Sequence, residues 1–172
     1  IGNELRWAIA GRQKDKLEAL RSTLVGNGEA DSLPILIADS NNRESLDELV
    51  SKTKVICTTV GPYALYGTSL VEACVESGTD YCDLTGEVQW MNRIIKNYEE
   101  KAKQTGARIV HTCGFDSIPS DLGTYFVQEE MMKQQHVYAK KVTARMGRSS
   151  GSASGGTIAS LLNVLDEAKK DP

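Results

Sequence analysis

Polar and glycine residues gather at five places in this chain of 172 residues, each directly after a short apolar run: Gly11-Arg12, Asp39, Val60-Gly61-Pro62-Tyr63, Thr85-Gly86-Glu87 behind Asp83, and Phe115-Asp116 within CGFDSIPSD. A guanidinium such as Arg12 can grip a phosphate through two parallel hydrogen bonds. A carboxylate such as Asp39 can accept a hydrogen bond from an adenine amine, and it is also common turn chemistry. Gly61 lets backbone approach a ligand closely, and Pro62 stiffens the turn without offering an N–H. Asp116 and Glu87 are the candidate acids, because a carboxyl group buried beside a reacting centre can hold a proton and donate it. The plainer reading of Glu87 and Asp83 is as caps of the helix that follows, where anions are favoured. His111 lies inside an apolar run and reads as a packed core histidine.

The elements that must position these residues alternate. Trp7 to Ala10 reads as a strand, Lys14 to Leu24 as a helix with Leu17, Leu20 and Leu24 at helical spacing, and Pro34 to Ala38 as a second strand. Leu46, Leu49 and Val50 mark the inner face of a helix, and Val55 to Val60 is a third strand. Ser69 and Glu72 have capping-box spacing for a helix that Gly78 ends. Tyr81 to Leu84 is the fourth strand. Met91, Ile94, Ile95, Tyr98 and Ala102 stripe the next helix up to Gly106, and Arg108 to Cys113 is the fifth strand. Pro119 is suited to the first turn of a further helix. Near-continuous apolar strands between amphipathic helices indicate a parallel sheet covered on both faces, a doubly wound α/β arrangement.

After about Gln135 the character changes. Val137 to Arg145 alternates like a half-exposed strand, RSSGSASGG reads as a flexible or ligand-facing loop, and Ile158, Leu161, Leu162 and Leu165 stripe one more helix. Two units are therefore expected: residues 1–135, a nucleotide-binding domain, and residues 136–172, the beginning of a second α+β domain. In open α/β sheets ligands bind outside the carboxyl ends of the strands, which is where the five polar clusters lie. Arg12, where a nucleotide-binding fold meets the adenosine ribose, favours a 2′-phosphate and hence NADP. A carboxylate there would select the free hydroxyl of NAD, or the ribose of S-adenosylmethionine in a methyltransferase. The connection GPYALYG is longer than a plain strand-to-helix turn requires, which suggests that something fits against it.

Composition narrows the classes. With 20 Lys and Arg against 23 Asp and Glu, the net charge of −3 carries no nucleic-acid footprint. Cys57, Cys74, Cys82 and Cys113 form no CxxC pair and complete no zinc spacing with a His, so buried thiols in a reducing, cytoplasmic setting are expected and no metal. No apolar run approaches the roughly 20 residues of a membrane span, and IGNELRW carries no signal-peptide stretch.

With VGPYALYG, DLTGE and GFDSIPSDLG read together, the sequence resembles the saccharopine dehydrogenase-like oxidoreductases. Within them it is most similar to the branch of the eukaryotic saccharopine dehydrogenase-like oxidoreductase and the mycobacterial trans-acting enoyl reductases. The resemblance implies a Rossmann NADP-binding domain followed by a substrate domain, in a protein that transfers hydride from NADPH to a carbonyl, imine or enoyl small molecule. It would set Gly11 and Arg12 near the 2′-phosphate, Asp39 near adenine, and Val60 to Tyr63 along the pyrophosphate and nicotinamide side. Thr85, Gly86 and Glu87, with Phe115 and Asp116, would surround the nicotinamide. The non-enzymatic alternative is a nucleotide-binding sensor or scaffold, with a lipid or membrane surface engaged through regions outside this segment.

One departure stands out. The strand and glycine-rich loop that open the family's domain have no counterpart here, and in the strand order 3-2-1-4-5-6 the missing strand is central. The expectation is a fragment lacking about 40 residues upstream, the size of a strand-loop-helix unit, and inactive alone. Its split sheet would have two unpaired edges, which recruit another chain or close on each other and point to a homo-oligomer.

Overall fold

A computed structural model describes residues 5–25, 33–148, 150–151 and 154–170, the side chains of 167, 168 and 170 excepted. Of the expected loop RSSGSASGG, residues 149, 152 and 153 lie outside the described residues. Strand β1 (Ile9–Gly11) leads through α1 (Lys14–Val25) to β2 (Ile35–Ile37), which pairs parallel with β1, Ile9 opposite Ile35. Helix α2 (Arg43–Ser51) leads to β3 (Val55–Thr58); α3 (Tyr63–Tyr66) and α4 (Thr68–Ser77) lead to β4 (Asp80–Asp83). Helix α5 (Val88–Thr105) leads to β5 (Ile109–Val110), and α6 (Ile118–Gln135) and α7 (Gly155–Lys170) close the order. Strands β3, β4 and β5 form a second parallel sheet in that order. The α/β alternation and parallel pairing follow the sequence expectation, as does the interruption between β1 and β3, which no pairing joins among the described residues.

The core lies on one side of the larger sheet. Leu46, Leu49 and Val50 of α2, Val71, Cys74 and Val75 of α4, and Trp90 and Ile94 of α5 close over Tyr81. Burying side chains of this size stabilises by about 1.5–3 kcal/mol each. The expected cover on both faces is met on one only: Val55 and Cys57 alternate outward along β3, and α6 buries no residue while exposing Leu122, Tyr125 and Phe126. Helices α4 and α5 end where their glycines predict. Gly78 and Gly106 take the left-handed conformation, φ 74° and 83°, and their N–H groups donate to Cys74 and Ala102.

Three local expectations change. The capping box at Ser69 is not used: α4 begins at Thr68 directly behind α3, Gly67 precedes it without a side-chain cap, and Glu72 instead pairs with Arg43 of α2 at 3.1 Å. The fifth strand stops at Val110 because Thr112 turns to φ 60°, outside extended backbone. The segment Val137 to Arg145 forms no strand. Ala139 finds its partners in the Gln128 side chain of α6, which donates to its carbonyl at 3.0 Å and accepts from its N–H at 2.7 Å.

Gly67, the residue between α3 and α4, explains part of the length of GPYALYG. A Cβ placed there would lie 2.8 Å from the Trp90 ring and 2.8 Å from the Tyr63 carbonyl. Of these, the backbone oxygen cannot step aside cheaply. Gly67→Ala is therefore expected to destabilise by about 1–3 kcal/mol, read by urea denaturation followed through Trp90 fluorescence. Unchanged stability would mean that the turn is not held against Trp90.

Candidate functional site

The parallel pairing of β3, β4 and β5 sets their carboxyl ends side by side, and hydrogen bonds lock the loops that leave them. The turn after β3, whose Gly61–Pro62 peptide is cis, runs into α3, and Glu87 reaches back from the loop after β4 to hold it. Its Oε1 accepts from the Tyr63 N–H at 2.7 Å and its Oε2 from the Ala64 N–H at 2.9 Å. Glu87 is only 2 % exposed. It thus caps α3, satisfying two helix-start amides that would otherwise have no partner, and not the α5 that follows it. The Tyr63 hydroxyl donates to the Thr58 carbonyl and accepts from the Leu84 N–H, both at 3.3 Å. Burial above all raises its pKa, which keeps the phenol neutral. Trp90 packs on Tyr63 with ring centres 5.6 Å apart and donates to Thr68 Oγ1 at 3.0 Å.

Asp83, at the end of β4, is fully buried. Its Oδ1 accepts from the N–H groups of Thr85 at 3.0 Å and Thr112 at 3.1 Å. Its Oδ2 accepts from the Tyr81 hydroxyl at 2.9 Å and lies 2.7 Å from His111 Nδ1. With the Thr85 and Thr112 N–H groups and the Tyr81 hydroxyl already donating, an acceptor-only carboxylate assigns the ring proton of this contact to His111 Nδ1. The Asp83 carbonyl adds a bond from the Cys113 N–H at 2.7 Å. Thr112, held between these bonds, is a β-branched residue at φ 60°, a conformation that costs about 1–2 kcal/mol and persists where surroundings impose it.

The sequence-derived candidates fall into two groups. Gly11 ends β1, next to β2, where the Ala38 N–H donates to the Gly11 carbonyl at 3.1 Å; Arg12 follows and is exposed. Asp39 follows β2, and its Oδ1 accepts from the Asn41 N–H at 2.9 Å, the turn role weighed for it. The second group sits at the ends of β3 to β5. Val60 is half exposed, Pro62 and Thr85 are buried, and Asp116 and Phe115 are exposed, the latter by 85 %. A Cβ on Gly86 would meet nothing within 4 Å, whereas one on Gly61 would lie 3.2 Å from Ser160 Oγ of α7. The sequence alone suggests a helix cap for Asp83 and a core position for His111, and the fold joins the two at 2.7 Å. The signal for their pairing was the two-residue spacing of Tyr81 and Asp83, which puts both on one face of β4; the histidine's share of it needed the neighbouring strand.

The cysteines are all free, and only Cys74 is fully buried. Cys57 and Cys82 are register partners on β3 and β4; burial first, then Cys57, pushes the Cys82 thiol up to about 12. Cys57 is exposed, against the expectation, because it points to the uncovered face of β3. Among the described residues no group of three His, Cys, Asp or Glu is placed to hold a metal ion.

Comparison with known proteins gives the site a context. The family model described as the saccharopine dehydrogenase NADP binding domain matches residues 2–110. A Mycobacterium tuberculosis protein, whose name as a trans-acting enoyl reductase is itself provisional, is 44 % identical over 172 residues, 99 % of this chain and 40 % of its own length. The trans-acting enoyl reductase of Mycobacterium ulcerans is 40 % identical over 168 residues, 97 % of this chain and 40 % of that protein. This chain thus spans about 40 % of the length of the curated relatives it matches. Among solved structures, apo saccharopine dehydrogenase (L-Glu forming) from Saccharomyces cerevisiae superposes with a TM-score of 0.60 at 15 % identity, covering 77 % of this chain and 27 % of that one, a likeness of fold.

Proposed function

The chain belongs to the family of the saccharopine dehydrogenase NADP-binding domain, and on that premise we propose that it is the cofactor-binding part of an NADPH-dependent reductase acting on a carbonyl, imine or enoyl small molecule. The observation that carries the proposal is the locked row of strand ends. Glu87, Tyr63 and Asp83 fix the loops after β3, β4 and β5 to one another, while Gly86 leaves backbone open and Leu84, Val60 and Phe115 stay exposed. A flat heteroaromatic ring suits such an apolar, backbone-lined surface, and the exposed guanidinium of Arg12 at the end of β1 suits a phosphate. The residues present therefore fit NADP.

In this reading Gly11 and Arg12 hold the 2′-phosphate side and Asp39 the adenine. Val60, Gly61, Pro62 and Tyr63 form a wall, and Thr85, Gly86, Phe115 and Asp116 flank the nicotinamide. When bound, NADPH supplies the hydride. The chain's own contribution is to orient the ring and exclude water from one side of it. Glu87 serves as the anchor of the wall, its two oxygens already taken by amides, which leaves Asp116 as the carboxyl group available to a substrate. We place the boundary to a second domain near residue 136. The free cysteines favour a reducing, cytoplasmic compartment, and the edges of β1 and β3 that have no partner strand among the described residues favour a homo-oligomer.

The test is a titration of the full-length protein with NADPH and NADH by nicotinamide fluorescence, followed by NADPH oxidation against enoyl thioesters, imines and carbonyl compounds. Tighter binding of NADPH and turnover with one of these classes is expected. Binding without turnover across the panel would favour the sensor or scaffold, and binding of neither nucleotide would overturn the cofactor assignment.

A further inference from the structure

We propose that Asp83, clamped by His111, is a positioning residue for the nicotinamide side of the cofactor site, coupling the loop after β4 to the loop after β5. The proposal rests on the NADPH-dependent reading above; it gives the loop-fixing Asp83 a specific role toward the nicotinamide and assigns work to His111, which that reading leaves idle. Asp83 Oδ1 binds the N–H of Thr85 in one loop and the N–H of Thr112 in the other, at 3.0 and 3.1 Å. Its carbonyl takes the Cys113 N–H at 2.7 Å. One residue thus sets the offset between Thr85-Gly86 and Phe115-Asp116, the two sides of the proposed ring pocket, and its bonds among the described residues do not reach the β1 and β2 ends.

The clamp has a cost that an inert core would not retain. His111 is 9 % exposed by its side chain, and its Nε2 is buried without a partner among the described residues. An apolar ring would fill the same space against Trp90, 5.1 Å away edge-on, and Tyr81, 6.0 Å away, without an unsatisfied nitrogen. What the imidazole adds is the Nδ1–H donated to Asp83 at 2.7 Å. With Tyr81 it fixes Oδ2, and so leaves Oδ1 aimed at the two amides. Thr112, held at φ 60°, would relax toward ordinary backbone without that hold, and Phe115 and Asp116 would swing with it.

The test separates the two halves of the cofactor. Full-length wild type, Asp83→Asn, His111→Phe and His111→Asn are each titrated with NADPH and with 2′,5′-ADP, which lacks the nicotinamide, and melted in parallel. Asn at position 83 faces four donors with one acceptor oxygen, and Phe at position 111 removes a donor. Both should weaken NADPH by roughly tenfold or more while leaving 2′,5′-ADP within about twofold. His111→Asn, whose amide N–H replaces the Nδ1 donor without the buried second nitrogen, should restore NADPH affinity. Loss of both ligands in step, or no loss of NADPH, would overturn the positioning role. If wild type itself binds no NADPH, the cofactor reading fails, a result that the variants cannot produce.

Discussion

Glu87→Ala is expected to remove about 3–5 kcal/mol of folding stability, because two amide bonds to a charged group are lost and both amides are left without a partner. Both carboxylate oxygens are engaged at the helix start: Oε1 takes the Tyr63 N–H at 2.7 Å and Oε2 the Ala64 N–H at 2.9 Å. A negative charge at the start of α3, which α4 continues, is favoured by the helix dipole as well. Glu87→Gln keeps one acceptor but turns an NH2 toward the other amide, so it should still cost about 2 kcal/mol. Urea denaturation followed through Trp90, which packs on the same Tyr63, reads both variants. The result that would reverse the assignment is a Gln variant of wild-type stability with NADPH turnover abolished, since an acid loses its proton relay and a cap loses its fold.

The sequence made the general scheme legible for a physical reason. Apolar runs alternating with three- and four-residue spacing admit few architectures, and Gly78 and Gly106 sit where helices end because their backbone must turn left-handed. The polar clusters at strand ends were visible for the same reason, since strand ends are where a parallel sheet leaves backbone exposed. What could not be read was long-range pairing. Glu87 looked like a cap for α5, next to it in sequence, and caps α3 from 24 residues away. Asp83 and His111 lie 28 positions apart, and each alone has an ordinary local explanation. Val137 to Arg145 alternated like a strand, but alternation records only which faces are wet. It does not supply the neighbouring strand that would turn the pattern into a ladder.

Arg12→Ala is expected to lower the affinity of the full-length protein for NADPH by roughly 30-fold, the loss of a charge-assisted two-bond grip on a phosphate, and to leave NADH within about twofold. The reasoning is geometric before it is electrostatic. Gly11 ends β1 in register with Ile37 of β2, so the next residue leaves the sheet at its carboxyl end, and Arg12 is exposed there. Arg12→Lys keeps the charge but not the planar fork, so it should recover only part of the preference. Because the site is open to solvent, the NADPH advantage of wild type should shrink as salt rises, whereas the Ala variant should show little such dependence. A preference for NADPH that survives in the Ala variant would mean that another cation reads the phosphate. A weakening of NADPH and NADH together would mean that Arg12 holds a part common to both, such as the pyrophosphate, and selectivity would then have to come from outside the strand ends of β1 and β2.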